Sequence, residues 1–184
     1  MTGGLCSLGR AGAAFNCSGR DEQLHYHGYL WTGTKQRFDE EALRRPPHPD
    51  PPPPPAGDED AAGRRLAERY REVRAEFPVV DLPPLETAYW LIKPSRLVQG
   101  TWEEPKEAAG WLGERLTEYA PRFMSEADRD STRLAILVNS AAENLGGGGD
   151  VSHGFYIERP SFLSLALVCC SPNKAQPDLA CPLG

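Results

Sequence analysis

A two-layer α+β domain is the fold class this 184-residue sequence predicts, with a mainly antiparallel sheet of about five strands and two amphipathic helices on one face. Three observations lead to it. Two segments repeat apolar residues at helical spacing on one side only. Several short β-rich runs, bounded by Pro, Gly or Ser, lie around them. The last two runs, "VSHGFYIE" (151–158) and "FLSLALVCC" (162–170), are joined by so few residues that they read as a hairpin.

Residues 1–20 are small and polar without a period, and are expected to be loosely ordered ahead of a single domain over 21–170. "DEQLHYHGYLWTG" (21–33) alternates, is rich in aromatics and closes on Gly33, so it reads as a strand. Leu24, Tyr26 and Gly28 or Leu30 then share one face, and His25, His27, Tyr29 and Trp31 share the other. Residues 46–55, "PPHPDPPPPP", fix φ and lack donors at most positions, which makes 46–57 a Pro-rich spacer interrupting the domain. Acidic residues 58–60 introduce a helix over 64–77, with Leu66, Tyr70, Val73 and Phe77 as its docking face and Pro78 as its stop. "ETAYWLI" (86–92) reads as a strand between proline-containing stretches.

The second helix is expected to begin at Thr101, where "TWEE" has the form of a capping box, and to dock through Ala108, Trp111, Leu112, Leu116 and Tyr119. The first part of "TRLAILVNS" (132–140) is read as a strand, although Leu134, Leu137 or Val138, Ala141 and Leu145 also fit a helix. "GGGGD" (146–150) lacks the Lys-Ser/Thr of a phosphate loop and is expected to be a mobile connection. Residues 171–184, with three prolines and no period, form an irregular tail.

Net charge is −6 with no long basic run, which argues against nucleic acid as a partner. The apolar runs are too short to span a bilayer, so no membrane association is expected. Five cysteines without an export-type apolar leader point to reduced thiols and a cytoplasmic location.

Two sets of residues have the makings of a site. His25 and His27 lie side by side if their segment is a strand, so they could supply two metal ligands, with His153 as third and Glu158 or a cysteine behind it. Two imidazoles alone hold a divalent ion weakly, so neither a tight metal site nor any other cofactor is expected; Tyr29 and Trp31 continue the face as an aromatic surface. The hairpin gathers Cys169, Cys170, His153 and Asp150 at one end, the residue types of a thiol nucleophile, its base and an orienting carboxylate. Trp102, like Trp31, stands at an element end where an indole can line a pocket or a partner surface. The functional expectation is a non-catalytic binding or accessory protein. It would engage a partner protein or a small apolar or aromatic ligand through His25, His27, Tyr29, Trp31 and Trp102. The alternative is a small cytoplasmic enzyme, of the kind found in secondary metabolism, using a His-based metal site or a Cys–His pair.

Overall fold

A computed structural model describes residues 24–184; the expectation for residues 1–20 lies outside the described residues. The chain forms β1 (His25–Thr34), α1 (Lys35–Phe38), α2 (Glu41–Arg44), α3 (Ala61–Glu76), 3-10 turns at Thr87–Ile92 and Ser95–Leu97, β2 (Val98–Trp102) and α4 (Pro105–Tyr119). A further 3-10 turn at Ala120–Arg122 then leads to α5 (Glu126–Arg129), α6 (Ser131–Gly146), β3 (Val151–Tyr156) and β4 (Ser161–Cys170). The architecture is α+β, with one antiparallel sheet in the order β2-β1-β4-β3. Among the described residues no helix is long and apolar enough to cross a membrane.

β4 is apolar along nearly its whole length because it is an interior strand covered on both faces. On one face lie α4 and α6: Ala108, Leu112 and Leu116 of α4 and Leu145 of α6 meet Tyr26, Leu163, Leu165 and Leu167 of the sheet. Gly28 belongs to this face, and its missing side chain is what lets Trp102 and Trp111 pass over β1. A Cβ there would stand 2.9 Å from the Trp102 ring and 3.1 Å from that of Trp111. On the other face Tyr29, Trp31, Ala166, Val168 and Cys170 are covered by Leu82, by Trp90 and Leu91 of the first 3-10 turn, and by Leu179 and Cys181 of the tail.

The sheet has four strands rather than about five, and the differences have physical causes. Residues 86–92 are a 3-10 turn, not a strand. Ala88, Trp90 and Leu91 are all buried, a pattern that does not alternate. Residues 131–146 are entirely helical; the Asp130 carboxylate accepts from the Arg133 amide at the start, and the helical period of Leu134, Ala141 and Leu145 prevails. The glycines after it close that helix, with Gly148 at φ +75 and the amides of Gly147 and Gly148 bonded to carbonyls of the last turn.

Thr101 does not cap α4. It lies in β2, and the helix starts at Pro105 behind Glu104 without a side-chain cap. β2 takes the place of one of the strands expected elsewhere. α3 forms as expected but does not dock through its stripe: none of its residues is buried and Leu66 is 56% exposed. Leu66, Tyr70 and Val73 instead line a groove with Pro46, Pro47 and Pro51, because the proline stretch and not the sheet lies beside them. Only Phe77, just past the helix end, is buried.

Candidate metal centre

Strand alternation, two backbone pairings and the return of the tail assemble the centre. Alternation along β1 turns His25 and His27 to the face opposite α4 and α6. The β1–β4 register sets His25 directly across from Cys170, and β1–β2 pairing sets His27 across from Thr101. The tail then returns over this corner and brings in Cys181. One ligand atom from each of His25, His27, Cys170 and Cys181 falls within 4.8 Å of all the others.

The tail reaches this place because Asn173 pins it. Its side-chain amide donates to Asp150 Oδ1 at 3.0 Å and to the Cys169 carbonyl at 2.9 Å, while its Oδ1 accepts from the amides of Ala175 and Gln176. Leu179 packs on the sheet two residues before Cys181. The tail has no helix or strand, in keeping with its prolines, yet it is fastened at 173, 179 and 181.

The distances have a recognisable shape. His25 Nε2 and His27 Nε2 are 3.2 Å apart, and Cys181 Sγ is 3.5 Å from each. A tetrahedral zinc ion with Zn–N of about 2.05 Å and Zn–S of about 2.3 Å has N···N edges of roughly 3.3 Å and N···S edges of roughly 3.5 Å. Three of the four groups therefore already form one face of such a tetrahedron, and the fourth, Cys170, offers its Sγ within 4.8 Å of all three. Two thiols and two imidazoles are also the donor set that tetrahedral zinc prefers.

The surroundings prepare the ligands. His27 Nδ1 is 2.9 Å from Thr101 Oγ1. We assign its proton to Nδ1, donating to the hydroxyl, so that Nε2 keeps its lone pair toward the centre. Burial, and next to it His25, lowers His27 to about 4, so the ring is neutral at pH 7. Tyr29 is 1% exposed, and its hydroxyl finds no hydrogen-bond partner among the described residues. Burial, then Cys170 and Cys181, raise its pKa.

Of the hairpin candidates only part comes together: Cys169 and Asp150 meet, while Cys170 lies on the opposite face of the sheet. β3–β4 pairing places His153 across from Leu165, on the helix-covered face, where its Nε2 is buried without a hydrogen-bond partner among the described residues. Cys169 shares that face and donates through Sγ to the Gly149 carbonyl at 3.3 Å; burial first, then Asp150 and Cys170, push it up to about 12. Asp150 accepts from the Cys169 amide at 2.9 Å and from Asn173, a structural role at the root of the tail. Neither His153 nor Glu158 belongs to the four-ligand cluster.

The aromatic row is not a surface: Tyr29 and Trp31 are buried beneath the 3-10 turn and the tail, with Tyr29 stacked on Trp90 at 4.7 Å between centroids. Trp102 is half-buried against Trp111, 5.5 Å away. Cys181 is the residue that sequence reasoning missed, because nothing periodic in the tail says where it returns. Its signal was chemical, a cysteine left over in a proline-rich tail. Comparison of the chain with protein-family models, with curated proteins and with solved structures finds no match in any of the three.

Proposed function

We propose that this protein is a non-catalytic binding or accessory protein of the reducing cytoplasm, braced by a single zinc ion held by His25, His27, Cys170 and Cys181. The observation that carries the reading is the mutual approach of two imidazole nitrogens and two thiols within 4.8 Å at the edge of the buried layer. Four protein ligands fill a tetrahedral shell and leave no position for water or substrate, the mark of a structural rather than a catalytic zinc site. The stranded hydroxyl of Tyr29 supports it, since a thiolate held by a metal is a ready acceptor for a buried donor nearby. The Cys169 thiol donating to a backbone carbonyl, and the Asp150 carboxylate taken up by the Cys169 amide and Asn173, argue for binding over thiol catalysis. On the binding side, the groove between the proline stretch and Leu66, Tyr70 and Val73 offers an apolar surface to a partner protein or a small apolar ligand.

The test is to purify the untagged protein without chelator under reducing conditions and to measure zinc, iron, copper and manganese per chain. One zinc per chain is expected, and none in the His25→Ala/His27→Ala double variant. Free zinc at a hundredfold excess over Kd adds about 2.7 kcal/mol, which corresponds to a rise of roughly 5–11 °C in Tm for a chain of this size. Failure to hold zinc both as purified and after reconstitution with zinc removes the reading.

A further inference from the structure

We propose that the same centre is a peroxide-reactive modification site, in which Cys181 and Cys170 are oxidised to a disulfide and the zinc ion is released. The inference rests on the metal reading above and concerns what the two thiolates do besides holding the ion.

The two sulfurs differ in access. Cys170 is fully buried at the end of β4, whereas Cys181 is half-exposed on a tail segment without helix or strand. A zinc-held thiol is deprotonated, and the thiolate is the nucleophile toward peroxides. The less buried cysteine, Cys181, is therefore the one an oxidant meets first, and the fully buried Cys170 is placed to resolve the product. Their Sγ atoms lie within 4.8 Å, and a disulfide needs about 2.05 Å, so closure asks for a shift of at most about 3 Å. Cys181, on the irregular tail, can supply that shift; Cys170 is held by strand pairing on β4.

The neighbouring cysteine is kept out. Alternation along β4 turns Cys169 to the opposite face of the sheet, where its thiol donates to the Gly149 carbonyl. Cys170 thus has one sulfur within reach among the described residues, and it is that of Cys181.

The chemistry balances with a hydroperoxide as oxidant. The Cys181 thiolate attacks one peroxide oxygen, the O–O bond breaks, and hydroxide leaves and takes a proton to become water; sulfur loses two electrons and stands as the sulfenic acid. The Cys170 thiolate then attacks the Cys181 sulfur, the S–S bond forms, and the sulfenic oxygen leaves as hydroxide, which a second proton turns into water. Two thiolates, one hydrogen peroxide and two protons give one disulfide and two waters. Zinc stays divalent throughout. It is left on His25 and His27 alone, too few ligands to keep it. The tail remains tied, now by a covalent bond.

The experiment uses the full chain with Cys6→Ser and Cys17→Ser, so that cysteines outside the described residues do not contribute. Zinc-loaded protein is treated with stepwise hydrogen peroxide and quenched with catalase. Released zinc is read with a chromogenic chelator, and disulfides are mapped by peptide mass spectrometry. We expect one zinc released per disulfide formed, the link mapped to Cys170–Cys181, and both effects reversed by dithiothreitol. Adding Cys169→Ser should change neither stoichiometry, and adding Cys181→Ser should abolish the disulfide. Zinc kept after peroxide, or released with sulfinic or sulfonic acid in place of the disulfide, overturns the redox inference while leaving the metal reading intact. A chain that takes up no zinc under reducing conditions instead overturns the metal reading, and the inference with it.

Discussion

Thr101 and His27 face each other across the β1–β2 pair, and their 2.9 Å contact makes Thr101 a positioning residue for the centre. Removing the hydroxyl frees the ring to rotate and to exchange tautomers. Thr101→Val is expected to lower zinc affinity about 10–100-fold, and Thr101→Ser to preserve it. Chelator competition measures the affinity, and the melting temperatures of the metal-free proteins should agree; an unchanged affinity in Thr101→Val refutes the role. Lys93 makes a different point at the same scale. It is buried, donates to the Phe77 carbonyl and lies over the Phe77 ring at 3.8 Å. Burial lowers its pKa to about 8, with Asp81 opposing. Between about 8 and the ordinary lysine value near 10.4, the unfolded chain binds the proton that the folded chain has released, so the Lys93 contribution to stability rises with pH across that window. Urea midpoints at both ends of the window should rise in the parent relative to Lys93→Met. A parallel pair of pH profiles contradicts this.

Elements were legible where a stripe meets the sheet and obscure where local pattern gave two answers. α4 shows its face in sequence because Ala108, Leu112 and Leu116 recur at helical spacing and are the residues that become buried. α3 has an equally clear stripe, but amphipathicity states only that one side is apolar, not what covers it. Phe77→Ala should cost roughly 3–5 kcal/mol, since the ring is 2% exposed. Leu66→Ala should cost no more than about 0.5 kcal/mol. Urea denaturation of the two variants checks this, and equal losses would mean that α3 docks through Leu66 after all. β2 was invisible for another reason. "VQGTW" is short and contains Gly100, and it becomes a strand by pairing along β1, an interaction no local window records. The 3-10 turn at Thr87–Ile92 reads as a strand in sequence because a short, largely apolar run between proline-containing stretches carries no decisive period.

At the scale of the whole molecule, the sequence shows His25 and His27 as a pair of possible ligands, on which it predicts no tight metal site, and it does not show the other two donors. His25 and His27 announce themselves by spacing alone. Cys170 joins them through the β1–β4 register and Cys181 through the route of the tail, both of which are long-range outcomes of packing. The two β1 ligands and the two late ligands are thereby drawn from positions far apart in sequence: His25 and Cys181 are 156 positions apart. That distance has a meaning during synthesis. At roughly 5–20 residues per second, the histidines emerge on the order of 8–30 s before the last thiol does. Through that interval the nascent chain carries only a bidentate, weakly binding pair. On the zinc reading proposed above, ion capture depends on the chain having been translated through Cys181, so a product broken off earlier keeps its histidines and does not hold the ion.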